Sequence, residues 1–467
     1  MRFQKIVLIL LLPVASFAQT NTLDFSAYMQ GQAELYGFNG NVLVAKNGKA
    51  IYERSFGVAD YDNKKSLDVN SRFDIGSITK EFTAVGILLL VDKGKLNYDD
   101  SLRKFFPELP YHNITIAQLL THTSGMPDGF DVIEKNFDHD KIATNTDLVK
   151  LLASEKPPLM FEPGTDLKYS GTGFNLLASV IEKVSGMSYN HYLEKYIFQP
   201  LGMKATIVAN FPRQGKNIAS LANGFIYSDS LKIYQQAEMV YPNWCTYFTG
   251  INGEGMIITS TADLLKWDNA LKKHSLLSEK TQKNMQSVHA EKKTFPKVKF
   301  GYGIRVGSND LGNYLFHNGW FPGFTSMLIR YVEQDVTVII LSNNQSHSEF
   351  IADALAAIAL KKAVAMPYKH RAITQVAALQ NYPGKFLLPL TRPPYMVTFP
   401  AEIVLHNNNL FLQSWNEEIK LIPESATKFF YADGTDQQIE YENDADGKAI
   451  KVFYIGYGIR REIERRN

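Results

Sequence analysis

Two groups of strand-like segments stand at opposite ends of a long helical stretch, and this separation restricts the fold more than any other feature of the chain. Near the N-terminus, residues 41–45 and 50–56 are β-like runs joined by Lys46-Asn47-Gly48-Lys49. Asn-Gly between two such runs is a strong hairpin signal, because both positions tolerate positive φ. Asp24 can cap a helix over 25–36 just before them. Residues 73–91 read as a short lead-in followed by a very apolar helix. From about residue 116 to 271 helical periodicity dominates, as in 117–121 and 173–185, broken by turns such as Phe161-Glu162-Pro163-Gly164. Strands return over 302–343, where 324–331 and 336–341 flank the polar turn Glu333-Gln334-Asp335. A closing helix is predicted over 349–362. The two strand groups have to meet in one sheet with the helical part inserted, which is an α+β arrangement of antiparallel sheet and flanking helices.

Near Met366-Pro367 this pattern stops. The segment 376–467 consists of short β-like pieces (404–405, 410–412, 429–430, 450–455) between turn formers such as Asn407-Asn408-Asn409. It predicts an all-β, barrel-like domain of about 90 residues, a usual domain size. The main domain is expected to span 19–365.

The first 18 residues are not expected to join the fold. Arg2 and Lys5 precede an apolar run over 6–15, and Ser16-Phe17-Ala18 supplies the small residues of a cleavage site. This is the pattern of a secretory signal peptide, cut after Ala18, and it predicts a periplasmic or secreted protein. The run is too short to span a bilayer, which takes about 20 residues. So is the longest later apolar stretch, 82–91, and no transmembrane segment is expected in the mature chain. The whole chain carries 49 Lys plus Arg against 47 Asp plus Glu. Without Arg2 and Lys5 the count is 47 against 47, and no long basic run appears. Nucleic acid is therefore not an expected partner. The lone Cys245 cannot pair within the chain, and with no HExxH there is no support for a zinc site. No cofactor is called for.

Ser77-Ile78-Thr79-Lys80 is a Ser-x-x-Lys motif. Residues three apart share a helix face, so hydroxyl and amine can meet at the helix start. A desolvated lysine is more easily neutral and can take the hydroxyl proton. A helix N-terminus also offers N–H groups to a developing oxyanion. The expected chemistry is acyl transfer through a serine ester followed by hydrolysis. The same spacing recurs at Ser101/Lys104 and Ser425/Lys428, but only Ser77 opens a long apolar helix. A plain capping box would place Glu or Gln at position 80, and a lysine in the first turn costs about 0.3–1 kcal/mol against the macrodipole.

With further stretches the chain resembles the serine β-lactamase-related family of class C β-lactamases, D,D-peptidases, D-aminopeptidases and related esterases. The resemblance runs from about residue 38 to 363. It is carried, in order, by Phe73-Asp74-Ile75-Gly76-Ser77-Ile78-Thr79-Lys80, by Ile114-Thr115-Ile116-Ala117-Gln118-Leu119-Leu120-Thr121-His122-Thr123-Ser124-Gly125, and by Pro163-Gly164 with Tyr169-Ser170-Gly171. Ser260-Thr261-Ala262-Asp263-Leu264-Leu265-Lys266-Trp267 and His317-Asn318-Gly319-Trp320 follow. The resemblance implies a β-lactamase/transpeptidase-like fold. It implies Tyr169 as the tyrosine of a Tyr-x-Asn element, with Ser77, Lys80 and Tyr169 as the catalytic set. It implies His317, Asn318, Gly319 and Trp320 as the substrate-binding strand, the Trp320 N–H joining that of Ser77 as the oxyanion hole. It places His122 in a structural turn rather than in a catalytic triad. Position 171 is Gly where the family has Asn, and position 317 is His where many members have Lys. Both departures point away from β-lactams and toward an exported, esterase-like hydrolase of small acyl substrates. The alternatives are a β-lactamase or D-amino-acid peptidase acting on β-lactams or cell-wall peptides, and a binding protein on a degenerate hydrolase fold. The tail after about residue 380 resembles the β-barrel-like extension of some family members.

Overall fold

Asn47 and Gly48 both take positive φ, 51° and 73°, and reverse the chain between strand β1 (Gly40–Lys46) and strand β2 (Lys49–Phe56). The computed structural model describes residues 22–209, 218–228, 230–292, 298–374, 376, 378–392, 395–414 and 417–466. The expected signal peptide lies outside the described residues. Helix α1 (Thr22–Tyr36) precedes the hairpin, starting three residues before the predicted span.

Six further strands complete the main sheet: β3 (Ala290–Lys292), β4 (Val298–Phe300), β5 (Arg305–Asn309), β6 (Gly312–Phe321), β7 (Phe324–Tyr331) and β8 (Val336–Ser342). The order is β3-β4-β5-β6-β7-β8-β1-β2, with antiparallel neighbours throughout. Strand β1 lies against β8 with Gly40 opposite Ser342 and Lys46 opposite Val336. The two ends of the main domain thus meet in one sheet, as the strand–helix–strand order requires. Strands β7 and β8 are buried along their whole length, and each face of the sheet supports a separate core.

One face carries Leu43, Leu315, Phe321, Leu328, Ile339 and Leu341 against the inserted helical region. Helix α2 (Thr79–Asp92) runs through that core, buried from Thr79 to Leu90, which explains its apolar sequence. Helix α3 (Gly171–Ser185) packs beside it, and helix α4 (Thr261–Lys272) lies nearer the β1 and β8 strands. Phe82 of α2 stacks on Trp267 of α4 at 4.0 Å between ring centroids. The other face carries Val42, Val44, Met327, Val338 and Ile340 against α1 and helix α5 (Ser348–Ala359).

The tail forms a nine-stranded antiparallel sheet from Gly384–Arg392 to Arg465–Arg466. It curls so far that its two edge strands, Ile459–Glu462 and Arg465–Arg466, are neighbours in sequence. Its apolar lining, including Phe386, Ile403, Leu412, Ile439 and Val452, belongs to the same cluster as α1, α5 and the back of the main sheet. Polar links seal the junction: the Tyr28 hydroxyl donates to Tyr457 O at 2.9 Å, and Arg461 pairs with Asp353 at 3.1 Å. The β-rich tail has its own sheet but shares its core.

Candidate active site

The segment leading into α2 is bent by local hydrogen bonds. Phe73–Asp74 pairs with Ile257–Thr259, and Asp74 Oδ1 accepts from Gly76 N at 2.6 Å. Gly76 has φ +50°, and a 3₁₀ turn over Gly76–Ile78 presents half-buried Ser77 immediately before α2. One turn on, the fully buried Lys80 donates to Ser77 Oγ at 3.0 Å. The spacing of the motif therefore delivers the contact it predicts. The other two copies do not. Ser101 Oγ donates to His112 O while Lys104 pairs with Asp100, and Ser425 Oγ accepts from Thr427 N and Lys428 N while Lys428 donates to Tyr368.

Tyr169 enters just before α3, whose N-cap is Ser170. Its ring lies 4.9 Å from Lys80 Nζ, a cation–π distance. The Tyr169 hydroxyl is buried and has no hydrogen-bond partner among the described residues. His122, at φ +60°, packs on Tyr169 at 4.4 Å and accepts the Ser170 N–H at Nδ1 over 3.1 Å. Burial, with Lys80 and Arg305 nearby, holds His122 neutral, well below the usual imidazole range. Its position supports the Tyr169-Ser170 turn.

On the opposite wall, β5 pairs with β6 only from Gly312 to Phe316. Residues 317–321 of β6 therefore leave their outer edge open toward Ser77. A two-residue turn, Pro322-Gly323, joins the paired Phe321 and Phe324. Counting back along an antiparallel ladder, the backbone groups of Asn318 and Trp320 face away from β7. The Gly76 backbone lies against them: a Cβ built there would be 2.6 Å from Trp320 N. Gly319 is equally tight, its own Cβ position overlapping Ile75 O, so neither residue can carry a side chain without shifting backbone.

The side chains of this strand are placed differently from expectation. His317 is fully buried, with Nδ1 2.7 Å from Asn318 O, and burial together with Arg305 and Lys80 keeps it neutral. It stands behind Tyr169 at 6.3 Å between rings and presents no charge to a substrate carboxylate. Asn318 points through the sheet and donates to Glu349 Oε1 at 3.1 Å, behind the site. What the motif offers on the surface is backbone, together with the half-buried Trp320, which meets Tyr241 at 5.9 Å and Trp244 at 5.8 Å edge-to-face. Phe130 and Phe248 continue this wall behind Trp244.

One charged residue at the site was not singled out from sequence. Glu254 lies in Asn252-Gly253-Glu254-Gly255. Its carbonyl accepts from Lys80 Nζ at 3.0 Å, and its carboxylate Oε2 is 3.7 Å from the same nitrogen. An acidic residue between two glycines, just before a buried strand, was the signal available. Amide bonds pin the loop: Asn252 N donates to Asn145 Oδ1 at 2.8 Å, and Asn175 Nδ2 donates to Asn252 O at 2.9 Å. Thr83 Oγ1 of α2 donates to Gly253 O at 2.6 Å. Among the described residues no group of His, Cys, Asp or Glu could hold a metal ion, and no helix is long and apolar enough to cross a membrane.

Comparison with known proteins gives a consistent picture. The family described as Beta-lactamase matches residues 25–361. Penicillin-binding protein 4* of Bacillus subtilis is 34% identical over 408 residues, covering 85% of this chain and 88% of the relative. The D-amino acid amidase of Ochrobactrum anthropi, solved with D-phenylalanine, superposes with TM-score 0.61 at 25% identity, covering 72% of this chain and 98% of that one. The octameric penicillin-binding protein homologue from Pyrococcus abyssi superposes with TM-score 0.65 over 94% of this chain and 99% of its own. At 23% identity it bears on the fold alone, the C-terminal sheet included.

Proposed function

The chain belongs to the Beta-lactamase family of serine hydrolases, and from that premise we propose that it cleaves a small ester or amide through an acyl-enzyme on Ser77, with esterase-like preference. The single observation that carries this reading is the 3.0 Å contact between Lys80 Nζ and Ser77 Oγ at the start of a buried helix. Lys80 in its neutral form takes the Ser77 proton as Oγ attacks the acyl carbon, and then protonates the leaving group. Water repeats the sequence on the ester. The N–H groups of Ser77 and Trp320 form the oxyanion hole, and Tyr169 flanks the amine as the third catalytic side chain. The Trp320–Tyr241–Trp244 wall favours an apolar or aromatic acyl group.

A second reading, hydrolysis of D-amino-acid amides, cell-wall peptides or β-lactams, is supported by the penicillin-binding and amidase relatives. It is weakened by the neutral His317 and by Gly171. Export, favoured by the basic and apolar N-terminus, suits either substrate class.

The test compares the purified protein with Ser77→Ala on short-chain p-nitrophenyl esters, D-amino-acid anilides and nitrocefin. Ester turnover that disappears in Ser77→Ala is expected. Equal turnover by both proteins would rule out the assignment. Turnover of nitrocefin or anilides in preference to esters would select the second reading.

A further inference from the structure

Position 171 lacks a side chain, but its space is not empty. A Cβ built on Gly171 falls onto the Glu254 carboxylate, within contact of Oε1, Oε2 and Cδ. The glycine and the glutamate come from opposite sides of the site, one opening α3 and the other preceding strand Ile257–Thr259. Each is compatible with the other only as found. The carboxylate lies at the N-terminus of a 15-residue helix, where the dipole favours a negative charge. Its side chain is only 15% exposed, and its nearest cation is Lys80.

We propose that Glu254 is a positioning residue for Lys80, occupying the place vacated at Gly171, holding the ammonium against Ser77 and taking its proton when the amine must act as base. The inference rests on the reading of Ser77 as nucleophile. One proton moves from Lys80 Nζ to Glu254 Oε2, leaving an amine and a carboxylic acid. The amine takes the Ser77 hydroxyl proton as the Oγ–carbon bond forms, and gives it to the leaving group as the bond between the acyl carbon and the leaving group breaks. In the second half, water loses a proton to Lys80 as it attacks, and Ser77 Oγ recovers that proton when the ester opens. The proton held by Glu254 then passes back to Lys80, so the net reaction consumes one water and returns both side chains to their starting state.

The surroundings suit a carboxyl that must both bear and lose a charge. Burial raises its protonation range, the Lys80 charge lowers it, Asp128 raises it, and a hydrogen bond from Asn175 lowers it. These groups face it from α2, from the loop before Gly129 and from α3. A purely structural salt bridge would need only the charge. A proton acceptor also needs to be poised between states.

The test uses the full chain with Glu254→Gln, Gly171→Ala and the double variant. It reads ester kcat and KM across about pH 5 to 9, together with the rate of fluorophosphonate labelling of Ser77. Glu254→Gln is expected to lower kcat about 10²-fold with little change in KM, and to displace the acidic limb of the pH profile. Gly171→Ala, which evicts the carboxylate, should match it, and the double variant should lose no more than either single one, as coupled sites do. An unchanged pH limb in Glu254→Gln, or losses that multiply in the double variant, would overturn the proposal. If Glu254→Gln fails to fold, Gly171→Ala alone carries the test through its pH limb. Wild-type turnover that survives in Ser77→Ala is a different result and removes the nucleophile assignment instead.

Discussion

Glu81 sits next to Lys80 but faces the other way, into the core between α2 and α4. It is 1% exposed and accepts from Trp267 Nε1 at 2.9 Å. Burial is the main cause that lifts its protonation range from 4.5 to about 7; the Trp267 bond pulls it down, while Asp268 raises and Arg330 lowers it by lesser amounts. The folded protein therefore holds a proton on Glu81 that the unfolded chain has already lost. Stability is unaffected below the unfolded value of 4.5, falls as pH rises between 4.5 and about 7, and stays reduced above it. At 1.36 kcal/mol per unit, the difference amounts to about 3 kcal/mol above neutrality. Glu81→Gln keeps the volume and an oxygen for Trp267 but cannot ionise. The expected result is a variant about 3 kcal/mol more stable than wild type at pH 8 and within about 0.5 kcal/mol of it at pH 4.5. Denaturant titration at both pH values measures it, and the difference between the proteins cancels other groups that titrate in the same window. A variant destabilised equally at both pH values would refute the reasoning, because the Trp267 contact rather than the proton would then be decisive.

Three other outcomes follow from the same geometry. Gly76→Ala places a Cβ 2.6 Å from Trp320 N at a positive φ, and should cut ester kcat about 10²- to 10³-fold, as loss of an oxyanion donor does; near-wild-type kcat would remove Trp320 N–H from that role. Trp320→Ala removes a ring of the Tyr241–Trp244 wall and should raise KM for an aromatic ester about two- to tenfold, the equivalent of the ~0.5–1.5 kcal/mol that one aromatic pair with the substrate contributes, leaving kcat nearly unchanged; the same KM change for an acetyl ester would argue against an aromatic wall. Deleting 376–467 uncovers the back of α1 and α5, including Tyr28 and Phe350, so the truncated chain should bind a hydrophobic dye and precipitate; a soluble, dye-silent, active truncation would show that the shared core is dispensable.

Local pattern carried most of the fold. The Asn47-Gly48 hairpin, the strands around Glu333-Gln334-Asp335 and the apolar run of α2 each declare themselves within a few residues, because turn chemistry and burial period act over that range. Ser77 and Lys80 were legible for the same reason, being three apart on one helical turn. Glu254 was not, since its partner Lys80 is 174 positions away and no period connects them. The burial of His317 was missed because a strand residue facing a second buried layer looks like one facing solvent. The short β-like pieces of the tail indicated an all-β unit but could not indicate that α1 and α5 pack against its apolar lining. The gap at position 171 was visible as a missing Asn, whereas its filling needed three dimensions.

The pairing of β1 with β8 also has a temporal side. A chain emerging from its N-terminus forms the β1–β2 hairpin early, yet the partner of Gly40 is Ser342. At synthesis rates of roughly 10 residues per second, about half a minute separates the two. Through that interval the N-terminal hairpin has an unpaired apolar edge, and the site cannot assemble because β6 is still missing. Contacts of such sequence separation slow folding. An incomplete chain is therefore both inactive and open to adding a foreign strand. A chaperone that covers the β1 edge until Ser342 is available would close that route.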